Sequence, residues 1–402
     1  MIAALRNQFN ARFSEERYVQ VRQTLEQAAG CPISFRIAES PVFLSKSFVE
    51  RAAQLAEEIL FRAVSPELQN IGQHAVPEDF NYAAETSKPL FSAIDFAITG
   101  TPDEPNLKLI ELQGFPSLYH FQPSYTQIAR DEYELPADLT GLAYPEMGYG
   151  QYYDTLRELI LDGNDPHEVV LLEFSPYNQK TLPDFLLAQK YLGIAIVDFG
   201  NIEAKGRDLF YRDRSGKLNP IRRIYNRSIR DDIIANGAQI PFDITKEYNV
   251  TWAGHPNWYF RISKVLLPHL VGTNEAVPNA MLLSDAKLHE LDLSQYVLKP
   301  LYSFAGTGIV ISPTLADVEG ISMYARHQWL LQERVTYANI FHTPEGDGVK
   351  AELRMMLAWP KQDQRPIALH TLVRLTRGNM VGVDQNKGLA WTGSSCALIY
   401  GI

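Results

Sequence analysis

Two cysteines, Cys31 and Cys396, in a chain of 402 residues are too few for a disulfide framework, and they point to a reducing compartment. No apolar run approaches the roughly 18 to 20 residues that a membrane helix needs. The N-terminus, MIAALRNQFNARFSEERY, has neither an apolar core segment nor a small-residue cleavage site, so no secretory leader is expected. No cluster of Lys or Arg stands out, and the formal net charge is -10. Nucleic acid and anionic membrane are therefore excluded as expected main partners. These absences together predict a soluble, cytoplasmic protein. Common chemical signatures are missing as well: there is no GxxxxGKS/T, GxSxG, HExxH or CxxC. The nine histidines are scattered, which leaves a zinc site without support.

What remains is an ordinary globular composition, 46% apolar and 21% charged, long enough for a large core and two or three domains. Residues 1–30 read as helix, and 46–64 as an amphipathic helix ending before Pro66. Strand patterns follow at 91–98 and 107–112, on either side of the turn-rich TGTPDEPN. The Pro- and Tyr-rich stretch 115–150 reads as loops and short helices over a surface. Helix and strand then alternate: helix 153–161, strand 168–173, helix 182–192, strand 194–199, and shorter strands at 209–212 and 221–226. That alternation predicts a small parallel α/β domain. Residues 255–270 read as one helix. The tail reads as antiparallel strands at 329–335, 350–359, 367–376 and 378–383.

The chemistry concentrates in few places. In YVLKPLYSFAGTGIVI, residues 296–311, Lys299 sits on a strand, and a loop with Gly306 and Gly308 leads to a second strand. Gly-rich backbone can approach phosphate oxygens and aim N–H groups at them, while an ammonium supplies a point charge. A plain β-hairpin with a solvated lysine is the simpler alternative. Glu111 and Gln113 are two apart on a strand and share a face, and Asp95 lies on the preceding strand. Two carboxylates and an amide oxygen make a hard oxygen site suited to Mg²⁺ bridging nucleotide phosphates. Two solvated acids at a sheet edge are the alternative. Arg354, in the apolar ELRMML, fits charge stabilisation at a transferring phosphoryl group, or a cross-strand salt bridge involving Glu352. Arg227 and Lys264 are weaker signals alone, and read first as surface helix or loop residues.

These pieces resemble the ATP-grasp superfamily, and within it the circularly permuted branch that includes glutathione-synthetase-like and glutathionylspermidine-synthetase-like proteins. In the usual order an α/β domain precedes a lysine-bearing helix, a Lys-Pro strand with its Gly loop, an adenine-hinge strand, an acid-x-Arg strand and a final strand with Glu-x-Asn. Here 155–250, Lys264, 299–308, LQERV at 331–335 and ELR at 352–354 appear in that order. AIDFAI and IELQGFPS, at 93–117, stand in for the last part from the N-terminal side. The resemblance implies an α+β or α/β class fold: a permuted ATP-grasp fold with an α/β pre-ATP-grasp domain. It divides the chain into an N-terminal helical segment (1–45), the metal-binding part of the C-lobe (46–150) and the substrate domain (151–255). The N-lobe with its Lys/Gly loop (256–328) and the rest of the C-lobe (329–402) complete it.

By this resemblance ATP contacts Lys264, Lys299 and the loop residues Ser303, Ala305, Gly306 and Gly308. Gln332, Glu333 and Val335 line the base and ribose. Asp95, Glu111 and Gln113 hold Mg²⁺, with Gln113 standing where relatives carry Asn. Arg354, Lys299 and Arg374 serve the chemistry, and Asn386 matches an asparagine of related ligases. Arg227 is the candidate grip on a substrate carboxylate, with a salt bridge to Asp231 or Asp232 as the alternative. The implied activity joins a carboxylate to an amine, on a small molecule or peptide, through an acyl phosphate. A small-molecule kinase and a non-catalytic nucleotide-binding module remain open, and exposed apolar hairpins leave room for a homodimer.

Overall fold

The computed structural model describes residues 2–235, 237, 239–302, 308–378, 381, 386 and 388–400. Its largest sheet joins distant parts of the chain. In spatial order Gly393–Ser395, Ile367–Thr376, Gly348–Ala358, Phe91–Gly100 and Pro105–Gln113 run antiparallel, and Asn339–His342 pairs alongside Gly348–Ala358. The N-terminal hairpin thus continues the sheet of C-terminal strands, with Arg354 paired to Asp95 and Asp95 to Glu111. Strand alternation sorts the side chains. Leu353, Met355 and Leu357, with Ile94, Phe96 and Ile98, face the helix Lys46–Ala63. That helix is capped by Ser45, which accepts from Phe48 N–H, and its small residues Ala52, Ala53 and Ala56 admit close approach to the sheet. Each large apolar side chain buried there contributes about 1.5 to 3 kcal/mol. The opposite face carries Glu352 and Arg354.

A second sheet is wholly parallel, in the order Thr251–Ala253, Arg223–Asn226, Val169–Glu173 and Ala195–Asp198. The sequence pattern anticipates this α/β unit. A third, antiparallel sheet orders Ala280–Leu282, Trp329–Glu333, Tyr296–Pro300 and Val310–Ile311. Leu283, Leu298, Leu331 and Val318 form its own small core. Val42–Ser45 pairs in parallel with Ala397–Tyr400, a pairing that the sequence pattern did not suggest. Among the described residues no helix is long and apolar enough to cross a membrane.

Four expectations change. Residues 115–150 are not only surface loops, since the helix Phe121–Glu132 buries Phe121, Tyr125 and Ala129. The Asp184 carboxylate accepts from the N–H groups of Leu118, His120 and Phe121 and so caps that helix start. Residues 255–270 break into Trp258–Arg261, Lys264–Leu266 and Leu267–Leu270, because Pro268 intervenes and the Ile262 carbonyl accepts from Gly114 N–H. The run 221–226 divides: Leu218–Ile221 joins an antiparallel ribbon, while Arg223–Asn226 enters the parallel sheet. Residues 1–30 form two helices, Ala3–Arg12 and Glu15–Ala29, the second capped by Ser14. Of the strand expected at 378–383, residues 379, 380, 382 and 383 lie outside the described residues.

Candidate functional site

The three sheets surround a cleft of about 1690 Å³, larger than the roughly 300 to 1,000 Å³ of common small-molecule sites. Glu111, Gln113, Arg227, Lys264, Lys299, Gln332, Glu333, Val335, Arg354, Arg374 and Asn386 all line it. Residues nearly two hundred positions apart therefore share one cavity. Asp95 and Gly308 are not among its lining residues.

A β-bulge aims Glu111. Register shifts between Asp95 and Phe96, so that Asp95 pairs with Glu111 while Phe96 pairs with Leu109. In a regular strand Leu109 and Glu111, two apart, would share a face; the bulge at Ile110 instead turns Leu109 to the core and Glu111 to the cleft. The bulge also releases two backbone carbonyls toward the third sheet. Lys299 Nζ donates to Ile110 O at 3.3 Å and to Gln332 Oε1 at 2.6 Å, and Gln332 Nε2 donates to Leu109 O at 3.1 Å. Lys264 Nζ lies 4.0 Å from Glu111 Oε1, and Gln113 Nε2 donates to Glu111 Oε2 at 3.3 Å. Burial pushes the Lys299 ammonium down to about 8, with Glu111 pulling it back up and Lys264 adding to the push. Burial also lowers Lys264, against the pull of Glu111 and Asp231. Gly114 brings these pieces together: a Cβ there would collide with the Trp258 carbonyl, so only glycine lets this strand end touch the Lys264 segment.

A second wall is built from arginines. Arg354 Nε and Nη2 donate to Asp95 Oδ1 and Oδ2 at 2.6 and 2.7 Å, and Arg374 Nη2 donates to Oδ2 at 2.6 Å. Arg374 also pairs with Glu352, which accepts from Tyr337 Oη at 2.9 Å. The cross-strand salt bridge open to Arg354 is thus formed, with Asp95. Burial alone would raise Asp95, but Arg354 and Arg374 hold it below the usual carboxylate range. Burial and the nearby Asp95 push Glu352 up, against the pull of Arg374. Burial would lower Arg374, yet Glu352 and Asp95 keep it above its ordinary value.

The parallel sheet supplies the third wall. Glu173 and Arg227 stand at or just past the carboxyl ends of neighbouring strands, the usual ligand side of such sheets. Both are buried. Arg227 Nη1 donates to Pro116 O at 2.7 Å, and its guanidinium lies 4.6 Å from the Phe115 ring centre. Its Nε is buried without a partner, and it forms no ion pair with Asp231 or Asp232. Burial pushes Glu173 up to about 8, against the Phe174 N–H and Arg227.

Two expected residues line the cleft and also hold internal hydrogen bonds. Glu333 accepts from Asn279 N and Nδ2, both at 3.2 Å, and Asn386 Oδ1 accepts from Thr376 Oγ1 at 2.8 Å. Gly308 holds φ +77°, a left-handed position that suits glycine after the loop. Ser303, Ala305 and Gly306 lie outside the described residues. Sequence reasoning passed over Glu173, Tyr337 and Gly114. Only Gly114 carried a signal, as a glycine directly after a strand. Among the described residues no group of three or more His, Cys, Asp or Glu side chains is arranged to hold a metal ion.

No protein-family profile matches the chain, and no curated protein matches it in sequence. The fold does have a solved counterpart. A structure described as a glutathione synthetase like-effector from Globodera pallida, in apoform, superposes with a TM-score of 0.62 at 10% identity, covering 96% of both chains. The chain therefore has a glutathione-synthetase-like fold of mixed α/β class.

Proposed function

We propose that this protein is an ATP-dependent carboxylate-amine ligase of circularly permuted ATP-grasp type. One observation carries the reading: Glu111 and Gln113, from an N-terminal strand, line the same cavity as Lys264, Lys299, Arg354 and Arg374 from the far side of the chain. The glutathione-synthetase-like fold supports it as well.

The chain's groups suit ATP. Lys264 and Lys299 are buried ammoniums at the cleft wall, beside the strand that carries Gln332 and Glu333. Glu111, with a side chain 32% exposed, and Gln113 beside it suit a hard cation once the Gln113 amide turns its oxygen outward. Mg²⁺ bound there would neutralise phosphate charge. In the reaction a substrate carboxylate oxygen attacks the γ-phosphorus, the bond to the bridging oxygen breaks, and ADP departs. The amine then attacks the acyl carbon, phosphate leaves, and the amine's proton passes to solvent. Arg354 and Arg374 face the charge that moves between these groups, and Arg227 grips a substrate carboxylate. Positioning and electrostatics carry such phosphoryl transfer, so no side-chain nucleophile is required.

Lys299→Ala and Glu111→Ala should each lower ATP turnover by about 10²-fold, the scale for losing one group that stabilises transition-state charge. Full turnover in either variant would sink the reading. An amide product marks the ligase, and a stable phosphorylated product marks a kinase. A second reading, nucleotide binding without turnover, draws support from Gln113, which stands beside Glu111 where related ligases carry Asn. Tight ATP binding with no ADP release across many carboxylate and amine pairs would favour it.

A further inference from the structure

The geometry points to Asp95 as a positioning residue that clamps Arg354 and Arg374 into one two-armed receptor for a phosphate or carboxylate oxyanion, and not as a metal ligand. This rests on the ligase reading only for the source of the anion. Both Asp95 oxygens already accept charge-assisted bonds, Oδ1 from Arg354 and Oδ2 from Arg354 and Arg374 together, at 2.6 to 2.7 Å. The residue is 0% exposed and does not line the cleft. To reach a cation there, it would have to abandon a two-pronged guanidinium contact in a dry site.

The arginines show what the clamp achieves. They project from neighbouring strands, both line the cleft, and their Nη2 atoms converge on one oxygen, so their heads are held side by side. The same Arg374 Nη2 also pairs with Glu352, itself held by Tyr337. Its Nε is buried and has no partner. A guanidinium in water samples many rotamers. Two that are fixed on one carboxylate present directional donors to a single oxyanion without further ordering. Asp95 thus acts through the arginines, while Glu111 and Gln113 are left to meet the metal.

The test compares two probes on purified full-length protein: Mn²⁺ binding followed by electron paramagnetic resonance, and thermal protection by inorganic phosphate. Asp95→Asn should weaken phosphate protection roughly tenfold or more, the scale of a lost charge-assisted contact. Its Mn²⁺ affinity should stay within about twofold of wild type. Glu111→Gln should show the reverse pattern. If Asp95→Asn does not fold, Asp95→Glu keeps the counter-charge while displacing both guanidiniums, and the same two readouts apply. A variant of Asp95 that loses Mn²⁺ as Glu111→Gln does, with phosphate protection intact, overturns the proposal. Wild-type protein that turns over ATP yet gains no protection from phosphate overturns the receptor and leaves the ligase reading standing. Phosphate protection that depends on Asp95 in a protein that never turns over ATP supports the receptor and sinks the ligase reading alone.

Discussion

Two walls of one cleft hold buried cations in opposite ways. On the arginine wall, Arg354 and Arg374 share Asp95 and Glu352, two cations against two carboxylates. On the lysine wall, Lys264 lies 4.0 Å from Glu111 and also feels Asp231, while Lys299 leans on the Ile110 carbonyl and the Gln332 amide oxygen. The first arrangement is internally balanced, and its groups brace one another. The second takes two ammoniums out of water, and that burial lowers both. On the proposed reading an arriving polyanion would add negative charge beside these two ammoniums. The comparison separates a wall whose cations are fixed by ion pairs from one whose cations are disfavoured by burial.

Substitutions can break this contrast. Asp95→Asn leaves two largely buried guanidiniums around a neutral amide, and should destabilise the protein by about 3 to 5 kcal/mol in chemical denaturation. Tyr337→Phe removes one hydrogen bond to the buried Glu352 and should cost about 1.5 to 3 kcal/mol at neutral pH. Lys299→Met should do the opposite of Asp95→Asn. It removes a cation that burial disfavours at the loss of contacts to Gln332 and Ile110, for a net gain on the order of 1 kcal/mol, while nucleotide binding disappears.

pH sharpens the same contrast. The folded state disfavours the Lys299 ammonium, so its penalty is full below about 8 and fades as pH rises toward the ordinary 10.5. Nucleotide binding needs the charged form and should weaken over that window, which calorimetric titration at several pH values would read. Glu173 runs the other way: its penalty grows between 4.5 and about 8, where the carboxyl ionises in the unfolded chain but stays protonated in the folded one. Glu173→Gln should flatten melting temperature against pH across that interval. An unchanged slope would show that Glu173 does not titrate there.

Much of this was legible in local pattern. Period-two spacing puts Glu111 and Gln113 on one face, and the Lys299 strand, the parallel α/β unit and the helix Lys46–Ala63 all follow from spacing and caps. What escaped was set by register and contact between distant segments. Arg354 owns Asp95 across 259 positions, and no local rule aligns those two strands. The bulge at Ile110 is silent in KLIEL, yet it decides which way Glu111 points. The helix expected over 255–270 breaks where Gly114 docks on Ile262, a tertiary contact that overrides helical spacing. Arg227 looks like a surface residue until Phe115 and Pro116 cover it.

The central claim is that the two walls meet around one ATP that activates a carboxylate for an amine. An ADP-release screen of the wild-type protein with Mg²⁺, across amino acids, short peptides and polyamines, tests it most directly. ADP release that requires both a carboxylate and an amine, with an amide of the summed mass less water, is the predicted result. ATP bound at the cleft with no ADP released for any pair would contradict it.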